Sequence, residues 1–350
     1  MARYKNQVFW GRWIANWSDQ LQSETIVSVT DIDNTRHGAV DLPGIVSGTL
    51  DDERNFRAAV FKQDWDYLPS DRWMLGFGVD AKHLDGNYLF SSVKAVAEPF
   101  DQILDNEPLR TLDFDVVADG AQYAAYVEAR WLLHDRLTID VGMRWDYQSY
   151  TTANDDTQSS PRISLLYDLA DNTELRLGWG QYSQAQEVNE LQVSDGNDAF
   201  FPAQRAEHIV LNLKHYFPAG TNVDISFFRK KFRAVRPRYE NVFNQLTIGP
   251  ELQFDRVVID ADSAESRGAE LMISRGSGGD ELFWWLGYAW SRVEDTLPQG
   301  KQKRSWDQTH TIKLGASWRW SKWDFSMAGE VHTGWPRTLI TSTHLFDQRY

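Results

Sequence analysis

Acidic side chains, amides and aromatics gather in one short run of this chain. The segment 194–201, SDGNDAFF, sets Asp195, Asn197 and Asp198 beside Phe200 and Phe201. Carboxylate and amide oxygens at that spacing are hard-cation ligands, and the two rings would form a stacking platform next to them. Two other runs repeat the oxygen-rich theme: Asp31, Asp33 and Asn34 in DIDN, and Asn154, Asp155 and Asp156 in TANDDT. A calcium loop of the EF-hand kind would need Asp or Asn where Thr35 stands, so solvated turns are the competing reading for all three.

A second set of candidates is charged and scattered. Arg144, Arg176, Lys313, Arg319 and Glu330 sit at polar positions of alternating segments. Their alternative role is a lattice of mutual ion pairs. With the loop residues, Arg144 and Arg176 complete the expected ligand-contacting set of Asp195, Asn197, Asp198, Phe200 and Phe201; any bound metal is left unassigned.

No catalytic motif assembles in the sequence. GFGVDA spaces Gly76, Gly78 and Ala81 like a dinucleotide fingerprint, but the run alternates as a strand and no helix follows. In GIVSG, Ser47 falls one residue late for a nucleophile elbow. His310 and His332 would be brought near each other by a hairpin at Ser321–Lys322, yet two imidazoles make an incomplete zinc site. Neither an enzyme nor a resident cofactor is expected.

The elements that carry these residues are strands. In 135–150, DRLTIDVGMRWDYQSY, the apolar Leu137, Ile139, Val141, Met143, Trp145 and Tyr147 alternate with Thr138, Asp140, Gly142, Arg144, Asp146 and Gln148. Period two places the two sets on opposite faces of one strand. The same alternation returns in RWMLGFGVDAK, NTELRLGWGQYSQ, THTIKLGASWRW and KWDFSMAGEVHTGW. Such strands exceed the usual five or six residues and match the roughly nine to eleven that cross a bilayer obliquely.

Composition agrees. A net charge of -14 disfavours nucleic acid, and the absence of cysteine fits an oxidising compartment. No apolar run is long enough for a membrane helix. The mean hydropathy of -0.51 is compatible with a barrel, where alternate residues face lipid and the others a polar lumen. The 16 Trp, 18 Phe and 13 Tyr are many for a soluble chain, and several flank tight links, as at Trp320 and Trp323.

Short links at 134–135, 170–172, 218–220, 276–279 and 321–322 alternate with long polar stretches at 151–160, 184–204, 237–262 and 294–304. The long ones are expected to face outward. With 87–120 taken as one large external excursion, about fourteen strands result. The run LQFDRVVIDA is expected as a local ribbon inside an external loop.

Particular phrases then point to a family. SPRISLLYDL (160–169), LRLGWGQYSQAQEVNELQ (175–192), RPRYENV (236–242), ESRGAELMISR (265–275) and SWDQTHTIKLGASWRW with HTGWP (305–336) resemble the barrel of a TonB-dependent outer-membrane receptor. The resemblance implies an all-β, antiparallel, up-and-down transmembrane barrel, normally of 22 strands around a plug. It implies a receptor in the outer membrane of a Gram-negative bacterium that binds a scarce nutrient of the siderophore-iron, cobalamin or glycan type. Import would be energised by the TonB complex through a plug, with outer-membrane lipid around the barrel. Residues 1–350 are expected to be a single barrel domain, incomplete at both ends, without signal peptide or plug. A passive porin is the alternative, and an outer-membrane enzyme or adhesin a weaker one.

Overall fold

The computed structural model describes residues 1–103, 107–151, 157–218, 220–244, 246–276 and 280–336. Strands run as β1 (Ala2–Asn16), β2 (Leu21–Leu42), β3 (Val46–Ser70), β4 (Trp73–Val96), β5 (Leu109–His134), β6 (Leu137–Gln148), β7 (Thr157–Ala170), β8 (Thr173–Gln184) and β9 (Gln204–Tyr216). They continue as β10 (Thr221–Arg233), β11 (Arg238–Asn241), β12 (Arg256–Ile259), β13 (Ser263–Arg275), β14 (Leu282–Leu297), β15 (Gly300–Lys303), β16 (His310–Trp320) and β17 (Trp323–His332).

Fourteen of these form one antiparallel sheet in sequence order, with β1 and β17 at its edges and β15 attached to β14. β11 and β12 pair separately, the ribbon expected from LQFDRVVIDA. Each strand is followed by its neighbour, so the sheet is up-and-down throughout. Its two ends differ. Links at 71–72, 135–136, 171–172 and 321–322 are tight, whereas 185–203, 234–262 and 298–309 are long.

Register shows which residues share a face. In β6, Val141, Trp145 and Tyr147 lie exposed on one face, and the opposite face carries Asp140, Arg144, Asp146 and the buried Gln148. Across the sheet the apolar face bears stacked aromatic pairs, Trp73 with Trp131 at one height and Tyr123 with Tyr147 at another. Trp131 and Tyr123 are eight positions apart on β5, about 26 Å at roughly 3.3 Å per residue. Ala125, Val127 and Ala129 fill that interval. An apolar band edged by rings is what a bilayer and its two interfaces require.

Towards the loop end, four strands reverse this polarity. β2 to β5 are 22, 25, 24 and 26 residues long. In the upper part of β5, Asp113, Asp115 and Asp119 are exposed on the face that held Val127 lower down. Leu112, Phe114, Val116 and Ala118 take the face that held Glu128. Above the apolar band both faces would meet water, and the inner one is instead covered by a folded loop. The hydrophobic core lies there: Phe56, Leu84, Tyr88, Phe90 and Ala118 from the strands, and Val188, Leu191, Val193 and Phe200 from the loop.

This corrects the expected excursion at 87–120. It is a hairpin of two projecting strands joined at 97–108, with a single helical turn α1 at Phe100–Ile103. Loop boundaries shift likewise, because β7 starts at Thr157 and β14 with β15 occupies most of 294–304.

Candidate functional site

The polar face is built from ion pairs within a strand, between neighbouring strands and across one intervening strand. Arg144 reaches Asp80 at 3.0 Å and Asp146 at 2.9 Å. Arg130 meets Asp140 at 2.6 Å, Lys313 meets Glu330 at 3.3 Å, Arg319 meets Asp324 at 3.0 Å, and Arg162 meets Glu128. Of the charged candidates, Arg144, Lys313, Arg319 and Glu330 thus join the lattice that was their alternative role. Arg176 shows no ion pair among the described residues and lies near the tight-turn end of β8, away from the long loops.

Small residues make room on this face. A Cβ on Gly78 would fall 2.6 Å from the Tyr126 ring and 2.7 Å from Asp64 Oδ1. The glycine leaves space for the Tyr126 hydroxyl to donate to Asp64 at 2.6 Å. Gly76 and Gly78 are therefore small inward positions in β4, as their place in an alternating run suggested. Ser47 is the second residue of β3 in the β2–β3 hairpin, three residues past the turn at Gly44, whose φ is 74°.

Two long loops fold inward over the upper end of the face. The 185–203 loop is pinned by Tyr88, whose hydroxyl donates to the Val188 carbonyl at 2.6 Å and accepts from the Leu191 N–H at 3.0 Å. Gln186, 2 % exposed, accepts at its carbonyl from the Tyr150 hydroxyl and at its side chain from the Phe201 N–H. The 234–262 loop is pinned by Arg36, which contacts Asp52 at 2.8 Å and Glu251 at 2.5 Å, and by Lys94, which donates to the Gln253 carbonyl. Asp255 gathers that loop internally by accepting from Asn241 and the Phe243 N–H.

The loops also hold each other. Arg256 takes both carboxylate oxygens of Asp195, Asn197 donates to the Tyr239 hydroxyl at 2.9 Å, and Arg236 meets Glu190 at 2.8 Å. Asp195, Asn197 and Phe200 accordingly have inward structural partners: Phe200 packs edge-on against Tyr150 at 5.0 Å. Asp198 is exposed. Asp31 and Asp33 share one face of β2 while Asn34 points to the other, so DIDN does not converge. Asn154, Asp155 and Asp156 lie outside the described residues. His310 stands opposite Thr333 and His332 opposite Thr311, which puts the two rings on opposite faces. No group of three or more metal-ligating His, Asp or Glu side chains occurs among the described residues.

Two openings remain at the mouth. One, of ≈ 480 Å³, is walled by Phe201, Phe232, Arg236, Arg238, Arg304 and Gln186. Arg238 and Arg304 share the buried Asp295, at 2.6 and 2.9 Å, and both lie over the Trp306 ring. The other, of ≈ 200 Å³, lies beneath the 185–203 loop and is lined by Asp80, Lys82, Arg144, Asp146, Gln148 and Glu187 among others. At its edge, burial pushes the Tyr150 phenol up to about 12 against the opposing hydrogen bond from Gln122. The arginines at 236, 238 and 304 and the amide at 148 were not singled out from sequence; the extended Arg-Pro-Arg of 236–238 was the available signal, since i and i+2 share a side on an extended chain.

The family model described as TonB dependent receptor-like, beta-barrel, matches residues 2–344. No curated protein matches the chain in sequence. The structure is similar to the ferric citrate transporter FecA in its unliganded form, with a TM-score of 0.65, 14 % identity, and coverage of 95 % of this chain and 49 % of that one. It is also similar to the copper transporter OprC (0.62, 16 %, 92 % and 51 %) and to the ferric yersiniabactin uptake receptor FyuA from Yersinia pestis (0.62, 14 %, 90 % and 46 %). The chain spans about half the length of each. It belongs to the TonB-dependent receptor β-barrel family, whose members are transport receptors, not enzymes, of the Gram-negative outer membrane.

Proposed function

We propose that residues 1–350 are a single barrel domain forming the wall and outer mouth of a nutrient importer, energised through TonB by a plug encoded elsewhere in the full protein. The observation that carries this is the pair of interlocked loops, 185–203 and 234–262, roofing a charged inner wall while leaving two lined cavities at its mouth. A wall alone would serve a pore; a folded roof with recesses serves recognition. Arg144 and Phe201, which line the cavities, are the ligand contacts of the expected set, and Asp195, Asn197 and Phe200 order the loop that carries Phe201. Asp198 lies at the exposed rim, and Arg176 would meet a ligand only after its passage down the wall.

The ligand lies within the siderophore-iron, cobalamin and glycan range. The similar proteins are a ferric citrate transporter, a copper transporter and a ferric yersiniabactin uptake receptor on one architecture, so fold alone does not choose. The test is uptake by cells carrying the full-length gene, with and without TonB, using ferric chelates, cobalamin and oligosaccharides. Uptake abolished by loss of TonB supports the importer. Uptake indifferent to TonB and rising linearly with solute concentration would establish a passive porin instead.

A further inference from the structure

We propose that the ≈ 200 Å³ cleft beneath the 185–203 loop binds a neutral polyhydroxylated group, one sugar ring of the transported ligand. This rests on the importer reading and names the ligand chemistry at one of its recesses. The size is suitable: the cleft is many times the space that a single water requires, enough for one ring.

Its hydrogen-bonding capacity is unfilled on both sides. Gln148 is 1 % exposed, and its Nε2 donors have no partner; Asp80 gives Oδ2 to Arg144 while its Oδ1 has none. An unpaired buried donor and an unpaired buried acceptor on one wall are the complement of a hydroxyl, which both accepts and donates. Gln122 faces Gln148 across β5 and β6, and Gln184 and Ser183 complete the rim, so neutral amides and a hydroxyl stand among the paired charges there.

Charge argues against an anionic chelate in this recess. Two cations, Lys82 and Arg144, face three carboxylates, Asp80, Asp146 and Glu187, and both cations are already paired with them. No positive surplus is left to hold an anion. The larger cavity, with Arg236, Arg238 and Arg304, differs in this respect.

The test uses the full-length receptor purified in detergent, an array of neutral oligosaccharides, and ferric citrate as an anionic comparison. At least one saccharide should bind saturably, and its affinity should fall tenfold or more in Gln148→Leu and in Asp80→Asn, which keeps the shape of the wall. Heat-dependent gel mobility establishes that each variant is a folded barrel. Absence of binding to every saccharide, binding of ferric citrate alone, or unchanged saccharide affinity in both variants would overturn the assignment. Binding needs no TonB, so the two proposals fail separately: saccharide binding without cellular uptake removes the importer, and TonB-dependent uptake of a chelate without saccharide binding removes the sugar cleft.

Discussion

The guanidinium of Arg256 holds both carboxylate oxygens of Asp195, at 2.9 and 2.8 Å, and so clamps the 234–262 loop to the 185–203 loop. Both side chains are largely buried, at 16 % and 5 % exposure. One carboxylate that the sequence offered as a cation ligand is thus held by an arginine 61 residues away.

Asp195→Ala should loosen this roof and leave the barrel intact. Removing one partner of a buried pair costs about 3–5 kcal/mol. Limited proteolysis of the full-length receptor should cut within 185–203 or 234–262 faster in the variant, with unchanged heat-dependent gel mobility. Equal cutting rates would mean that the clamp does not order the loops.

The two faces of β6 should differ in tolerance to charge. An arginine at Val141, on the apolar face, should cost about 2–4 kcal/mol near the bilayer midplane. Ser164→Arg places the same charge opposite Asp140 on the polar face and should cost less than about 1 kcal/mol. Reversible unfolding in lipid vesicles measures both, and equal costs would contradict the assignment of faces.

Polarity reversal along β5 marks the edge of the membrane. These 350 residues contain no cysteine, so a single one can be placed without background from this domain. Asp115→Cys should react on whole cells with a membrane-impermeant thiol reagent, and Val127→Cys should not. Reaction at both positions would place the boundary lower than the sequence of faces implies.

Filling the space left by Gly78 should destabilise the wall. Its Cβ would also meet the Gln63 carbonyl oxygen at 2.7 Å, a backbone atom that cannot swing away. Gly78→Val should cost about 1–3 kcal/mol, the range for overpacking. An unchanged unfolding midpoint in denaturant would show that β3 and β4 shift freely here.

Tyr150 gives the roof an alkaline limit. Its pKa is raised from 10.0 to about 12 by burial, so the folded state retains the proton better than the unfolded one. The stabilisation is fully present below pH 10 and is lost as pH rises through about 12. Ultraviolet titration should show one late-forming tyrosinate fewer in Tyr150→Phe than in the wild type, and the stability of the variant should be flatter across that window. A Tyr150 signal titrating with the exposed tyrosines would refute its burial.

Alternation alone made the sheet legible, because a period of two is a local property that no distant residue has to complete. It gave the lipid-type face of β6, the inward Arg144, Lys313 and Glu330, and the inward glycines of β4. It failed at 87–120, where the strands persist but the faces exchange polarity. Leu112 and Phe114 turn inward there only because Val188, Leu191 and Val193, some 80 residues later, come to cover them.

The site was less legible for the same reason. Residue type showed that Asp195 and Asn197 would bond strongly to something, and sequence has no term for which partner arrives. Arg256 and Tyr239 arrive because two loops fold back on one mouth, and register places Gln148 beside Gln122 above Asp80. Strands, faces and turns follow from steric and hydrophobic rules that act between neighbours along the chain. Tertiary structure decided which polar groups satisfy one another across long loops, and hence which of them remain free to meet a ligand.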